Sequence, residues 1–228
     1  MKQGLDRILG QLDDRNWFQK ALDEVFEKKK KPVRQIDYFY ASWAGECPRV
    51  IQYVMNGMVH DDIDPQSQRR MDNGNYMHDR YGDYFESIGI LIAREPAFRL
   101  DMDGVFVSGR GDLILTDDNS THVLVEMKSI NDKGYGGILL CPREDHFLQW
   151  NLCSKALQIP QGIILYENKD NQLLKPHFVK FSQEKYDLVI KKFQDIDAGN
   201  KAGKTVAKPE VCVNPKYCKA KGLCKQDA

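Results

Sequence analysis

The middle of the chain reads Gly109-Arg110-Gly111-Asp112-Leu113-Ile114-Leu115, then a polar turn Asp117-Asp118-Asn119-Ser120, then Thr121-His122-Val123-Leu124-Val125-Glu126-Met127-Lys128. Side chains alternate across a strand, so Glu126 and Lys128 share one face while Val125 and Met127 point into the core. The turn allows the two segments to pair as a hairpin, which predicts that Asp112 lies close to Glu126.

Two converging carboxylates beside a lysine are typical of a metal-dependent hydrolytic site. Hard divalent cations prefer carboxylate oxygens, and a lysine can hold a water or a phosphate, so the pattern suits hydrolysis of a phosphodiester. The alternative is a cross-strand ion pair, because the same spacing recurs at Glu27-Lys28-Lys29 and Glu167-Asn168-Lys169, where we predict a solvated face. Apolar flanks and the preceding Gly-x-x-Asp strand distinguish the central copy.

The length and charge of the chain limit the classes of protein to which it can belong. The chain has 228 residues, enough for one elaborated domain, and equal numbers of basic and acidic residues, so net charge gives no nucleic-acid signal. Basic runs from Lys28 to Lys31 and from Lys201 to Lys225 are solvated faces or follow a phosphate backbone. No stretch suits a membrane span and no signal peptide opens the chain, so we expect a soluble, cytoplasmic protein.

Hydrophobic periodicity predicts helices first, then mostly strands, then a helix and a linker before a cysteine-bearing tail. The predicted helices are Leu5 to Lys29, Ala44 to Met55, Ser67 to Ile88, Asp145 to Leu157 and Glu184 to Phe193. The predicted strands are Ile90 to Ala93, Val105 to Ser108, Asp112 to Leu115, His122 to Lys128, Gly162 to Tyr166 and Lys175 to Phe181. The predicted linker is Asp197 to Lys204.

The spacing of the cysteines is the second feature of the sequence that indicates a functional site. Cys212, Cys218 and Cys224 follow the spacing C-x5-C-x5-C near the end of the chain. An intracellular protein seldom keeps structural disulfides, so this trio predicts a zinc or iron–sulfur site that needs a fourth ligand. Cys47 is the first candidate and Cys141 the second. The alternative is a flexible tail with free thiols.

The order of these motifs resembles the PD-(D/E)xK nucleases of the RecB-like branch. The matching residues are Cys47-Pro48-Arg49, Gly74-Asn75-Tyr76-Met77-His78, Gly109-x-x-Asp112, Glu126-Met127-Lys128, Gln149 and the closing cysteine trio. The sequence is similar to CRISPR-associated RecB-like exonucleases, to the iron–sulfur nuclease domain of AddB and to small phage nucleases, over about residues 40 to 224.

The resemblance implies a role for each matching residue of the active site. His78, Asp112, Glu126 and the backbone carbonyl of Met127 would hold Mg²⁺ or Mn²⁺. Lys128 would be the catalytic lysine. Gln149 matches the glutamine of a Q-x3-Y motif that would contact DNA. From helical spacing alone, His146, one turn earlier, is expected to face the same groove. The tyrosine of that motif is replaced by Cys153.

The resemblance also assigns a cofactor to the cysteines. Cys47, Cys212, Cys218 and Cys224 would hold a [4Fe-4S] cluster that pins the C-terminus to the N-terminal helices. The first interval of the trio is longer than the family's usual C-x2-C, so structural zinc stays open as the alternative.

The expected fold is α/β, with a mixed central sheet flanked by helices as in restriction endonucleases. Within one domain we expect a helical part (residues 1–89), a catalytic core (90–198) and a cysteine tail (199–228). The implied function is metal-dependent exonuclease action on single-stranded DNA or DNA ends in recombination, repair or replication. The setting would be bacterial or phage, with a possible helicase or recombination partner. Alternatives are a structure-specific endonuclease acting with a partner and a non-catalytic zinc or iron–sulfur protein that binds nucleic acid.

Overall fold

Two β-sheets form the centre of the computed structural model, which describes residues 17–26, 35–59, 63–209, 212 and 218–226. A five-stranded sheet has the order β2-β5-β6-β7-β8, and a three-stranded sheet has the order β1-β4-β3. The strands are β1 (Phe39–Tyr40), β2 (Leu91–Arg94), β3 (Ala97–Met102), β4 (Val105–Arg110), β5 (Leu113–Thr116), β6 (His122–Ile130), β7 (Gln161–Asn168) and β8 (Leu174–Lys180).

The predicted central hairpin is present. Strands β5 and β6 are antiparallel, with Leu113 opposite Val125 and Thr116 opposite His122. Strands β6 and β7 are parallel, whereas β2 with β5 and β7 with β8 are antiparallel, so the larger sheet is mixed. The expected α/β fold with a mixed sheet is therefore confirmed.

Helices cover both faces of the larger sheet. Met77 and Tyr81 of α3 pack on one face, while Trp150 of α5 and Phe193 of α6 belong to the main core on the other. A proline at N1 and the Asp64 side chain, which accepts from the Ser67 N–H, begin α3. The helices are α1 (17–26), α2 (Pro48–Met55), α3 (Pro65–Ser87), α4 (Asp132–Gly136), α5 (Glu144–Leu157), α6 (Gln183–Lys201) and α7 (Lys221–Gln226).

The predicted linker from Asp197 to Lys204 is wrong in its first half, because α6 continues to Lys201. A Cβ on Gly199 would lie 2.9 Å from the Lys204 carbonyl oxygen and 3.1 Å from Gln52 Nε2. Asn200 Oδ1 accepts a hydrogen bond from Gln52 Nε2 at 3.0 Å. These small and polar residues therefore serve the close packing of α6 on α2 and do not break the helix.

Strands β1 and β3 were not predicted. Most residues of β3 are exposed, so its sequence lacks the alternation of polar and apolar residues that predicts a strand. Its strand conformation depends on antiparallel pairing with β4. Of the predicted helix from Leu5 to Lys29, residues 17–26 are helical and the remainder lies outside the described residues.

A third apolar cluster joins α2 to α7. Val50, Tyr53 and Val54 pack with Ala220 in it. The cluster thus connects two helices that are far apart in the sequence. No helix in the described ranges is both long enough and apolar enough to cross a membrane.

Candidate active site

Asp112 and Glu126 lie side by side because the hairpin register places them there. Asp112 directly precedes β5, and its Oδ2 accepts the backbone N–H of Met127 at 2.6 Å. The relative exposure of Asp112 is 8% and that of Glu126 is 1%, so both carboxyl groups are buried. Two neighbouring carboxyl groups that are both shielded from solvent are unusual in a protein core unless a cation or a proton neutralises their charge.

Helix α3 places His78 beside this pair. His78 Nδ1 lies 3.6 Å from Asp112 Oδ1. Burial lowers the pKa of His78, and the nearby Glu126 carboxylate only partly opposes that shift. The ring is thus neutral near pH 7, as a metal ligand must be. The structure therefore places His78 beside Asp112, and a shared metal site with Glu126 and the carbonyl of Met127 stays a prediction.

Lys128 and Gln149 occupy the other side of Glu126. Lys128 Nζ lies 2.6 Å from Glu126 Oε1 and 3.2 Å from Gln149 Oε1. Gln149 Nε2, from α5, donates to the same Glu126 oxygen at 2.6 Å. Glu126 Oε2 is buried and has no hydrogen-bond partner among the residues that the structure describes. Oε1 of Glu126 thus contacts both Lys128 and Gln149, while the lone pairs of Oε2 are unused.

The electrostatics of the site favour a bound cation. Burial, reinforced by the Asp112 charge, raises the pKa of Glu126 to about 7. Burial also raises the pKa of Asp112 to about 6, although Lys128 and the Met127 N–H pull it down. Burial by itself lowers the pKa of Lys128, but the attraction of Glu126 and Asp112 outweighs it and the net shift is upward.

These shifts predict how the pH changes the stability of the protein in EDTA. Both carboxyl groups bind protons more tightly when folded than at their ordinary pKa values of 4.5 and 3.8. The folded state therefore holds more protons than the unfolded state between about pH 4 and 7, and stability falls as the pH rises through this window. Thermal unfolding in EDTA should show a smaller decline for Glu126→Gln than for the parent. Equal slopes would contradict the raised pKa of Glu126.

The oxygen and nitrogen atoms of the candidate site are of the kinds that bind a divalent cation. Carboxylate and carbonyl oxygens with one imidazole suit Mg²⁺ and Mn²⁺, and the unpartnered Glu126 Oε2 is an acceptor that a cation would satisfy. Within the described ranges, no three His, Cys, Asp or Glu side chains stand close enough to form a ready-made metal cluster. Lys128 and Gln149 hold Glu126 Oε1 instead.

The cysteines lie in several different environments. Cys47, Cys218 and Cys224 pack against the apolar cluster that joins α2 to α7, and Arg49 Nη1 lies 3.5 Å from Cys224 Sγ. Cys212 is exposed and is not part of that cluster. Cys153 is buried, and its Sγ lies 3.8 Å from the Arg110 carbonyl oxygen. Burial raises the pKa of Cys153 well above its usual value, so its thiol is protonated.

Sequence reasoning missed an anchor next to the site. The predicted solvated face at Glu167 is wrong, because Glu167 is 5% exposed and accepts a hydrogen bond from Tyr81 Oη at 2.6 Å. Arg80 Nη2 also pairs with Glu167. Strand β7 lies between β6 and β8, so its alternate residues are covered by α3. Arg80 and Tyr81 closely follow His78, and this anchor holds that part of α3 on the sheet.

Glu167→Ala should therefore destabilise the protein. It removes the shared acceptor of Tyr81 and Arg80, so we expect a loss of about 2–3 kcal/mol in the free energy of unfolding. Urea denaturation measures this loss, with Glu184→Ala on the exposed first turn of α6 as the control. Equal stability of the two variants would show that the anchor contributes nothing.

Comparisons with known proteins place the fold. No family model matches the chain, and a comparison with curated proteins finds no significant sequence match. The crystal structure of SSO0001 matches with a TM-score of 0.62 and 15% identity, covering 92% of this chain and 96% of that one. The alkaline exonuclease LHK-Exo from Laribacter hongkongensis matches with a TM-score of 0.52 and 11% identity, covering 74% and 90%.

A second structure of that exonuclease, in complex with dAMP, matches with a TM-score of 0.54 and 11% identity, covering 73% of this chain and 89% of that one. At such low identity the likeness concerns the fold. The chain thus has the α/β fold of these structures, with the restriction-endonuclease-like mixed sheet that the sequence predicted.

Proposed function

We propose that this protein is a metal-dependent deoxyribonuclease of the PD-(D/E)xK superfamily. The observation that carries the proposal is that buried Asp112 and Glu126 lie together with Lys128 and with His78 near Asp112, and that no described residue hydrogen-bonds to buried Glu126 Oε2. The likeness of the fold to that of an alkaline exonuclease supports it.

His78, Asp112, Glu126 and the carbonyl of Met127 would hold Mg²⁺ or Mn²⁺. When bound, the cation supplies Lewis-acid polarisation of the scissile phosphate and a more acidic water. The buried carboxylates contribute the negative charge that selects a cation. Neutral His78 contributes a nitrogen lone pair, which suits Mn²⁺ as well as Mg²⁺.

Lys128 acts in this proposal as a proton-bearing donor and not as a base. Its pKa is raised by Glu126 and Asp112 despite burial, so Nζ carries a positive charge at neutral pH. A charged Nζ orients the attacking water and stabilises the negative charge that develops on the phosphate. Gln149 contacts both Lys128 and Glu126 and so fixes the distance between them. A contact between Gln149 and DNA stays a prediction.

The finer proposal is exonuclease action on single-stranded DNA or DNA ends. Because an exonuclease needs a free end, we expect end-labelled linear DNA to be degraded with Mn²⁺ or Mg²⁺, while circular single-stranded DNA survives. Cutting of the circle would instead identify an endonuclease. Action in recombination, repair or replication, a helicase partner and a cytoplasmic bacterial or phage setting belong to the same proposal.

We also propose that Cys47, Cys212, Cys218 and Cys224 hold a [4Fe-4S] cluster, with zinc as the alternative. The support is that Cys47, Cys218 and Cys224 each pack against the apolar cluster that joins α2 to α7. Such a group would be structural, because it ties residues near the two chain ends together.

Cys218→Ser should lower the metal content of anaerobically purified protein and its Tm. Cleavage at low temperature should persist, since the cysteines lie apart from Glu126. Iron and zinc analysis measures the content, with exposed Cys141→Ser as the matched control. Parent protein that holds neither iron nor zinc would refute this part.

A further inference from the structure

His146 lies beside the candidate active site and has no role so far. It is one turn before Gln149 on α5, and its Nδ1 lies 2.8 Å from Tyr166 Oη. Tyr166 is opposite Lys128 in the parallel register of β6 and β7, so the two side chains are neighbours on one face of the sheet. His146 therefore borders the place where Lys128 would meet a phosphate.

The hydrogen bonds favour one tautomer of His146. Tyr166 Oη accepts the backbone N–H of Arg143 at 3.0 Å, and His146 Nδ1 is the acceptor that its own O–H finds among the described residues. Nδ1 is then the acceptor and Nε2 carries the hydrogen. Burial, followed by the charge of Lys128, lowers the pKa of His146 to about 4, so the ring is a neutral donor at physiological pH.

The Nε2–H of His146 has no acceptor in the part of the chain that the structure describes. Its nearest carboxylate oxygen is Asp145 Oδ2 at 3.9 Å, beyond hydrogen-bonding distance. Asp145 is itself engaged by Arg143 through contacts of 3.1 and 2.6 Å. With a side chain that is 16% exposed, His146 presents a fixed, partly desolvated donor next to Lys128.

We propose that His146 Nε2–H donates a hydrogen bond to a phosphate oxygen of bound DNA beside Lys128. This inference rests on the proposed deoxyribonuclease function and adds a substrate-binding residue to it. Because the imidazole is neutral, the contact positions the backbone without releasing a counterion. It should therefore not change the salt dependence of binding, unlike a lysine or arginine contact.

Two amide variants separate this role from a structural one. In His146→Asn the amide reaches the position of Nδ1, so the contact with Tyr166 is kept and the Nε2 donor is lost. In His146→Gln the amide reaches the position of Nε2, so the donor is kept and the Tyr166 contact is lost. Exposed His122, at the opposite end of β6 from Lys128, provides the control His122→Gln.

We would measure Kd for single-stranded DNA by fluorescence anisotropy in Ca²⁺, and KM and kcat in Mn²⁺. We expect His146→Asn to raise Kd and KM about tenfold, with kcat, Tm and the slope of log Kd against log salt unchanged. His146→Gln should bind within about threefold of the parent, and His122→Gln should equal the parent.

If His146→Asn binds as the parent does, whether or not His146→Gln is impaired, the proposed contact is wrong. A reduced salt slope in His146→Asn would also overturn it, because a neutral donor cannot cause one. Failure of the proposed function has a different signature, since the parent itself would then cleave no DNA with either metal.

Discussion

Lys128→Met is expected to reduce DNA cleavage by roughly 10²- to 10⁴-fold, a far larger effect than the one it has on DNA binding. The physical reason is that Lys128 is the one ammonium that touches Glu126 in the structure as described, at 2.6 Å, and its raised pKa keeps it charged. Methionine preserves the length and apolar stem of the side chain but carries no proton donor. Single-turnover cleavage with saturating Mn²⁺ measures the chemical step.

Lys169→Met provides the matched control for this experiment. Lys169 occupies the same Glu-x-Lys spacing in Glu167-Asn168-Lys169 but is exposed. Its replacement should leave the rate within about twofold. Equal rates for Lys128→Met and Lys169→Met would remove Lys128 from the mechanism.

Asp112→Asn is expected to have two opposite effects. The neutral amide can still accept the Met127 N–H through Oδ1, but it removes a buried charge next to Glu126. In EDTA above pH 7, where both carboxyl groups of the parent are ionised, the variant should unfold at a higher temperature than the parent. Its affinity for Mn²⁺ and its cleavage rate should fall by at least about 100-fold.

Calorimetric titration with Mn²⁺ and thermal unfolding with and without EDTA measure both effects. Asp118→Asn, on the exposed turn between β5 and β6, removes the same charge without touching the site. An Asp112→Asn protein that binds Mn²⁺ like the parent would show that the cation, if any, binds elsewhere.

The central hairpin was predictable because its signals are local. Alternation fixes which residues share a face of β6, and the polar turn fixes the pairing of β5 with β6, so Asp112 and Glu126 had to converge. Helical periodicity likewise identified α5, whose end at Leu157 is the predicted one. These features depend on neighbours within a few residues or on one short turn.

Long-range features were harder to predict. The position of His78 relative to Asp112 depends on how α3 crosses the sheet, and only the family resemblance suggested it. The burial of Glu167 depends on strands and a helix far apart in the chain, so its Glu-x-Lys pattern looked like a surface. The helical end of α6 depends on packing against Gln52, which outweighs the local signals of Gly199 and Asn200.

The most direct test of the central claim is degradation of end-labelled linear single-stranded DNA by anaerobically purified parent protein, beside Glu126→Gln. If His78, Asp112, Glu126 and Met127 hold a catalytic cation, the parent will cut DNA with Mn²⁺ or Mg²⁺, EDTA will stop it, and Glu126→Gln will be inactive although folded. Folded parent protein that cuts no DNA with either metal, or a Glu126→Gln variant that cuts as fast as the parent, would contradict the account.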